Sequence, residues 1–317
     1  MNTTNKCTVA IVGAGYMARE HISAFQDIVD VEIVGINSRT RLRADTLASE
    51  FDIPYVYNSI PDLYEQTRAD LVVVTVPELS ANAVSRACFE HPWTVLLEKP
   101  AGYNLQDAED IMSVAEAKNA RAFVALNRRH YSSTQVVLDD IASVDGPRWI
   151  HVQDQEDQKG ALKFGQPQTI VDFWMYANSI HVIDYFKMFG RGKVVSVEPV
   201  IPWQAQSPWI VAAKIVFDSG DIGFYEGIWD GPGPWAVSIS TPEKRWEMRP
   251  LEQANCQSAG ERKLEPMQLH EWDQKFKPGL RLQAQEAVAA VRGQKTSLPS
   301  LRDAFATMEL VEAIFQL

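Results

Sequence analysis

Thr8–Val12 (TVAIV) is a short β-branched run that stops at two glycines and passes at once into a segment with helical spacing of apolar positions, Ala14–Ile28. This strand-to-helix turn is the tightest local constraint in the chain. Gly13-Ala14-Gly15-Tyr16-Met17-Ala18 fits G-x-G-x-x-A, in which each small residue has its own task. Gly13 permits the turn, Gly15 lets backbone approach a pyrophosphate, and Ala18 keeps the helix close to the sheet. Free N–H groups and the positive dipole end at the helix start suit phosphate. A dinucleotide held by Gly13, Gly15, Tyr16 and Met17 is the expected ligand.

The pattern continues beyond the turn. Strand Val31–Ile36 precedes a polar helix that runs to about Phe51, and Tyr55–Val56 is a short third strand. Leu71–Val76 is apolar at nearly every position, as in a strand buried on both faces of a parallel sheet. Helix Ala81–Phe89, strand TVLLEKP (Thr94–Pro100), helix Leu105–Asn119 and strand Ala122–Leu126 follow. Strands alternating with helices predict an α/β, doubly wound Rossmann domain over residues 1–126.

After Leu126 the alternation ends. A helix near Ser132–Ile141 leads to strand RWIHVQDQE, a polar loop rich in Gln and Gly, and an aromatic helix over Val171–Phe189. Five strands then succeed one another across short turns (DSGD, DGPGP, TPEK), which predicts an antiparallel meander. Helices Arg281–Arg292, ended by Gly293, and Leu301–Leu317 follow. Residues 127–317 therefore read as a C-terminal α+β domain with an open antiparallel sheet.

Composition narrows the partners. The 317 residues carry a formal charge of −11, which disfavours nucleic acid and anionic membrane. No apolar run is long enough to span a bilayer, so a cytoplasmic protein is expected. Cys7, Cys88 and Cys256 lie far apart and read as reduced thiols, and no histidine or cysteine spacing predicts a metal. Neither a Gly-x-Ser-x-Gly elbow nor a phosphate-loop lysine occurs.

The end of the second strand bears on the cofactor. An acidic residue there would grip the ribose 2′-hydroxyl of NAD. The chain instead has Asn37-Ser38-Arg39-Thr40, with Arg41 and Arg43 close behind. A guanidinium and two hydroxyls can hold a 2′-phosphate, so NADP is favoured and NAD stays open. The plainer alternative is a solvated helix start capped by Ser38 or Thr40.

Glu98-Lys99-Pro100 puts Lys99 at the carboxyl end of a strand, the edge at which doubly wound sheets bind ligands. A lysine there can hydrogen-bond a substrate oxygen and exchange a proton with it. By itself the tripeptide fits a surface Glu–Lys pair better. Taken together, GAGYMA, DLVVVTVP, EKP and the later strand-rich half resemble the Gfo/Idh/MocA oxidoreductases. The resemblance implies a Rossmann domain and a sheet domain. It also implies hydride transfer between NAD or NADP and a hydroxyl or carbonyl carbon of a sugar, cyclitol or nucleotide-linked sugar. It places Lys99 beside nicotinamide and substrate, Pro77 and Glu98 beside the cofactor, and Arg128 and Arg129 of the NRR segment near the substrate. It makes His181 the second catalytic residue, and it implies a homodimer or homotetramer formed through the C-terminal sheet.

Two positions depart from the family pattern. The family carries an aspartate four residues before the histidine, where this chain has Ala177; relatives often have Pro-Asn where this chain has Pro77-Glu78. Asp184 lies on a neighbouring helix face and reads as structural. Two alternatives follow: redox-assisted elimination, epimerisation or glycoside cleavage with retained cofactor, and a non-catalytic dinucleotide-binding regulator. His21 reads as a packing histidine, while His130 and Tyr131 suit substrate contact or packing equally. Trp174, Tyr176, Trp229 and Trp235 could line a carbohydrate site or pack a sheet face. Gly165–Gln168 reads as a lid or a surface loop.

Overall fold

The computed structural model describes residues 6–317. Six strands form a wholly parallel sheet: β1 Cys7–Val12, β2 Val31–Asn37, β3 Val56–Tyr57, β4 Leu71–Val74, β5 Thr94–Glu98 and β6 Ala122–Ala125. Their order is β3-β2-β1-β4-β5-β6, so the winding direction reverses between β1 and β4. Loops at that reversal diverge to opposite faces and leave a crevice at the carboxyl ends of the strands. Helices α1 (Tyr16–Gln26), α2 (Arg41–Glu50), α3 (Ile60–Thr67), α4 (Glu78–Cys88) and α5 (Leu105–Ala117) make the crossovers. Every residue of β4 is buried, the reason its sequence does not alternate. Ser59 caps α3 by accepting the Asp62 N–H at 3.1 Å, and Asn104 caps α5 by accepting the Asp107 N–H at 2.9 Å.

The first compact unit runs through His130 and takes in Trp272–Phe305; the second holds Tyr131–Glu271 and Ala306–Leu317. A single division near residue 126 therefore does not describe the chain. Helix Leu280–Val291 lies on α1, with Leu280, Ala284, Ala287 and Val288 in the same buried cluster as Ile22 and Phe25. Arg281 Nε donates to Asp27 Oδ2 at 2.6 Å and its guanidinium lies 4.6 Å from the centre of the Trp272 ring. An apolar stripe records that a helix must be covered, not which part of the chain covers it.

The second unit is built on eight strands: β7 Trp149–Gln155, β8 Val194–Ile201, β9 Ile210–Phe217, β10 Ile222–Ile228, β11 Ala236–Ser240, β12 Lys244–Met248, β13 Asn255–Ser258 and β14 Glu265–Pro266. Their order is β14-β13-β12-β11-β7-β10-β9-β8. The meander holds for β8-β9-β10 and for β11-β12, but β7 enters between β10 and β11 and runs parallel to β10. The sheet is thus mixed, and the DGPGP segment passes across the end of β7.

Two further stretches differ from expectation. The polar stretch after β7 contains two short helices, Gln158–Lys163 and Gln168–Asp172. The Gly165–Gln168 segment joins them, with Phe164 almost fully exposed. The aromatic helix is broken: Met175–Ser179 forms a π-helical turn, followed by helical Ile180–Ile183 and Tyr185–Phe189. Turns of this kind open the regular hydrogen-bond ladder and recur at functional sites. No helix among the described residues is long and apolar enough to cross a membrane.

Candidate functional site

A cleft of about 650 Å³ opens at the carboxyl ends of β1, β2, β4 and β5. Gly13–Met17, Ser38–Thr40, Pro77, Glu98 and Lys99 all line it, so these sequence candidates meet in one place. The two glycines serve it differently. Gly13 has φ +113°, and a Cβ there would stand 2.5 Å from both the carbonyl oxygen and Oγ1 of Thr75. Its N–H donates to the Asn37 oxygen at 2.8 Å, fastening the turn to β2. Gly15 is extended (φ −97°, ψ −170°) at the start of α1, and no side chain caps that helix. A Cβ on Gly15 would meet nothing within 4 Å. Uncapped N–H groups facing open space fit a pyrophosphate.

At the end of β2, Asn37 Nδ2 donates to the Tyr57 oxygen at 3.0 Å, and Ser38 Oγ accepts the Thr40 N–H at 3.3 Å. Thr40 occupies the N-cap position of α2 without a side-chain capping bond. Arg41 is engaged by Asp45 Oδ1 at 2.8 Å and Asn58 Oδ1 at 2.9 Å. Arg39 and Arg43 also line the cleft, are exposed, and make no ion pair among the described residues. Two uncommitted guanidinium groups therefore stand where a ribose 2′-substituent would be read. Tyr57, Asn58 and Thr75 complete this wall; no sequence motif marks Tyr57 and Asn58, which the end of β3 brings there, while Thr75 lies within DLVVVTVP.

Pro77 precedes α4, and Glu78 in the helix's first turn faces the same cleft, a favourable place for a carboxylate near the helix dipole. Glu98 is committed to the protein. Its Oε1 lies 2.7 Å from Nε2 of His21, which is 1% exposed, and its Oε2 accepts the Lys99 N–H at 3.2 Å. His21 is thus a packing histidine with a specific partner one residue from Lys99. Arg128 and Arg129 lie in a 3₁₀ turn, Asn127–His130, and are not among the residues lining the cleft. That turn is tied down by Asn127 Nδ2 donating to the Pro278 oxygen at 3.1 Å and by His130 Nε2 lying 3.2 Å from Ser297 Oγ. His130 is 1% exposed and Tyr131 4%, so both are buried.

The second unit holds His181, which is buried with its ring centre 6.3 Å from that of Trp235. Ala177 is buried on the π-helical turn, and Asp184 accepts from Thr307 Oγ1 at 2.8 Å, a structural role. A cavity of about 540 Å³ is lined by Glu156, Phe164, Trp174, Asn178 and Trp235. Trp235 Nε1 donates to the Gln155 oxygen at 2.8 Å. Trp229 belongs instead to the core, 4.5 Å from Trp203 and 5.4 Å from Phe315 between ring centres, and Tyr176 is also buried.

Sequence reasoning missed Asp154 and Glu156. Burial raises the Asp154 carboxyl, and burial together with the charge of Asp154 pushes Glu156 well above the usual carboxylate range. A signal for the first existed: the alternation Ile150, Val152, Asp154 places an acid on the inner face of β7.

The strand order and the glycine-lined cleft define a dinucleotide-binding Rossmann fold followed by an α+β unit. Residues 7–126 match the GFO_IDH_MocA family, described as an oxidoreductase family with an NAD-binding Rossmann fold. The match takes in 120 of the 317 residues, and over them the chain is similar to the Gfo/Idh/MocA family. It is 24% identical over 196 residues to 4-carboxy-2-hydroxymuconate-6-semialdehyde dehydrogenase of Sphingobium sp. (strain NBRC 103272 / SYK-6), a match covering 61% of each chain. It is 27% identical over 194 residues to inositol 2-dehydrogenase 1 of Saccharopolyspora erythraea, covering 60% of this chain and 56% of that one. The chain thus spans about six-tenths of the length of these curated relatives. A dehydrogenase from Chromobacterium violaceum superposes with a TM-score of 0.85 over 99% of this chain and 95% of that one, at 18% identity, a likeness of fold.

Proposed function

We propose that the chain is a nicotinamide-dependent oxidoreductase acting on a hydroxyl or carbonyl carbon of a sugar, cyclitol or nucleotide-linked sugar, with NADP preferred to NAD. The observation that supports it most is the meeting of the glycine turn, uncommitted Arg39 and Arg43, and Lys99 in one cleft. Backbone N–H groups at Gly15 and the start of α1 bind the pyrophosphate. Arg39 and Arg43, with the Ser38 and Thr40 hydroxyls, hold the 2′-phosphate. The nicotinamide, when bound, supplies or takes up the hydride. Lys99 binds the substrate oxygen through Nζ and moves the proton on or off it. His181 is the proposed second proton-handling group, and Arg128 and Arg129 are proposed to contact substrate, all on the strength of the family likeness.

Titration of the chain with NADPH and NADH tests the cofactor half, with NADPH expected to bind more tightly. Lys99→Ala is expected to lose most turnover on a sugar and cyclitol panel while keeping NADPH affinity. Unchanged turnover would remove Lys99 from the reaction. Product formed with no net change in NADPH absorbance would move the reading to redox-assisted elimination or epimerisation.

The proposed macromolecular partner is a second copy seated on the open face of the second unit's sheet. Trp149 and Phe224 stack there with ring centres 6.2 Å apart, and Trp149 is 45% exposed. Light scattering should give a dimer or tetramer that Trp149→Glu weakens.

A further inference from the structure

The broken helix of the second unit is organised by one buried acid. Glu156 follows β7 directly and is 2% exposed. Its Oε2 accepts from Trp174 Nε1 at 2.6 Å and from Asn178 Nδ2 at 2.8 Å, and its Oε1 accepts from Ser179 Oγ at 3.4 Å. These three donors flank Ala177, on the segment that leads into His181. Glu156, Trp174 and Asn178 all border the cavity of about 540 Å³. On its inner side Glu156 is hydrogen-bonded to Asp154, whose Oδ2 accepts the Tyr225 hydroxyl at 2.7 Å.

Two ionised carboxylates cannot share so dry a place, so one keeps a proton. With one proton shared between Glu156 and Asp154 every bond has a donor and an acceptor. Oε2 receives two N–H groups, Oε1 receives the Ser179 hydroxyl, and the shared proton bridges the two carboxyl groups. The groups facing Glu156 are Asp154 from β7, Tyr225 from β10, and Trp174, Asn178 and Ser179 from the helical segment. Of these only Asp154 and Tyr225 titrate, and burial pushes the Tyr225 hydroxyl well up, so it stays a donor.

We propose that Glu156 is a positioning residue for ligand binding in this cavity: its carboxyl group clamps the Trp174 ring and the Asn178 amide in place and ties the turn bearing Ala177 to β7. The ligand's class, a polyol-like molecule, rests on the function proposed above; the clamp does not. The clamp works through the hydrogen bonds it accepts, which sets it apart from a general base.

The indole N–H resonance of Trp174 in the ¹⁵N-labelled full chain, assigned through Trp174→Phe, reads the clamp without any turnover. In the wild type it should be protected from exchange and shift in one step as pH rises above the ordinary carboxylate range. Glu156→Gln retains both an acceptor and a donor, so protection should persist and the step vanish. Glu156→Leu should lose the protection. On myo-inositol and glucose with NADP, Glu156→Gln should leave KM and kcat within about twofold, whereas Glu156→Leu should raise KM by about tenfold with kcat little changed. An indole resonance indifferent to Glu156→Gln and Glu156→Leu alike, its pH step retained, would overturn the clamp. So would a Gln variant as inactive as one lacking the acid, since that demands an ionised carboxylate. Should Glu156→Leu not fold, the pH step in wild type against Gln still decides. If neither polyol turns over in the wild type, the oxidoreductase reading fails for them and the indole resonance alone judges the clamp.

Discussion

His21 Nε2 and Glu98 Oε1 lie 2.7 Å apart, joining the middle of α1 to the last residue of β5. The other oxygen of Glu98 accepts the backbone N–H of Lys99. The peptide that carries the proposed catalytic lysine is therefore held from behind by the helix whose start lines the cofactor cleft. His21→Ala would strip a largely buried carboxylate of that partner, at a cost of about 1–3 kcal/mol. The expected result is a lower denaturation midpoint and a fall in kcat/KM, with the NADPH dissociation constant within about twofold of wild type. A fall confined to cofactor affinity would count against a role in placing Lys99.

The glycines of the first turn should separate stability from binding. Gly13 pairs a positive φ with Thr75 atoms 2.5 Å from any added Cβ, so Gly13→Ala should destabilise the chain by about 2–4 kcal/mol. Gly15 has an ordinary φ and open space before it. Gly15→Val should leave the melting temperature within about 2 °C of wild type yet weaken NADPH at least about tenfold, because the side chain fills the space a pyrophosphate needs. Calorimetric melting and a fluorescence titration of the same two variants distinguish the roles.

Arg39 and Arg43 should discriminate between the cofactors, and Arg41 should not. A charge-assisted bond to a phosphate contributes about 1.5–3 kcal/mol, so Arg39→Ala and Arg43→Ala should each weaken NADPH by about tenfold to a hundredfold. NADH should be unaffected. Arg41 is occupied by Asp45 and Asn58, and Arg41→Ala should change either affinity by less than about threefold. Equal losses for NADPH and NADH would remove the 2′-phosphate contact.

Asp221 should control acid stability in the second unit. Its side chain is wholly buried; burial alone would raise its carboxyl, but Arg191 at 2.6 Å and the backbone N–H groups of Arg148 and Arg191 hold it below the ordinary 3.8. A lowered folded-state value gives stability that is present above pH 3.8 and lost as pH falls through the folded value. Below about pH 4 the wild-type unfolding midpoint should therefore drop more steeply than that of Asp221→Asn. At pH 7 the variant should be weaker by about 2 kcal/mol, a moderate cost because Arg191 is partly solvated. Parallel slopes below pH 4 would show that other carboxylates govern the acid limb.

The first domain was legible because its signals are local. A turn that needs φ +113° at Gly13 and a strand buried on both faces at Leu71–Val74 are decided within a few residues of chain. The same holds for the gathering of Gly13–Met17, Ser38–Thr40 and Lys99, since parallel strands bring all their carboxyl ends to one edge. What tertiary structure alone decided has a common cause, contacts between segments far apart in sequence. Periodicity shows that β10 and β11 are strands but not that β7 lies between them, because strand pairing is a choice among many compatible partners. It shows that Leu280–Val291 has an apolar face but not that α1 receives it. In sequence Glu156 is only the last residue of the strand RWIHVQDQE; the fold alone surrounds it with Asp154, Trp174 and Asn178 and buries it.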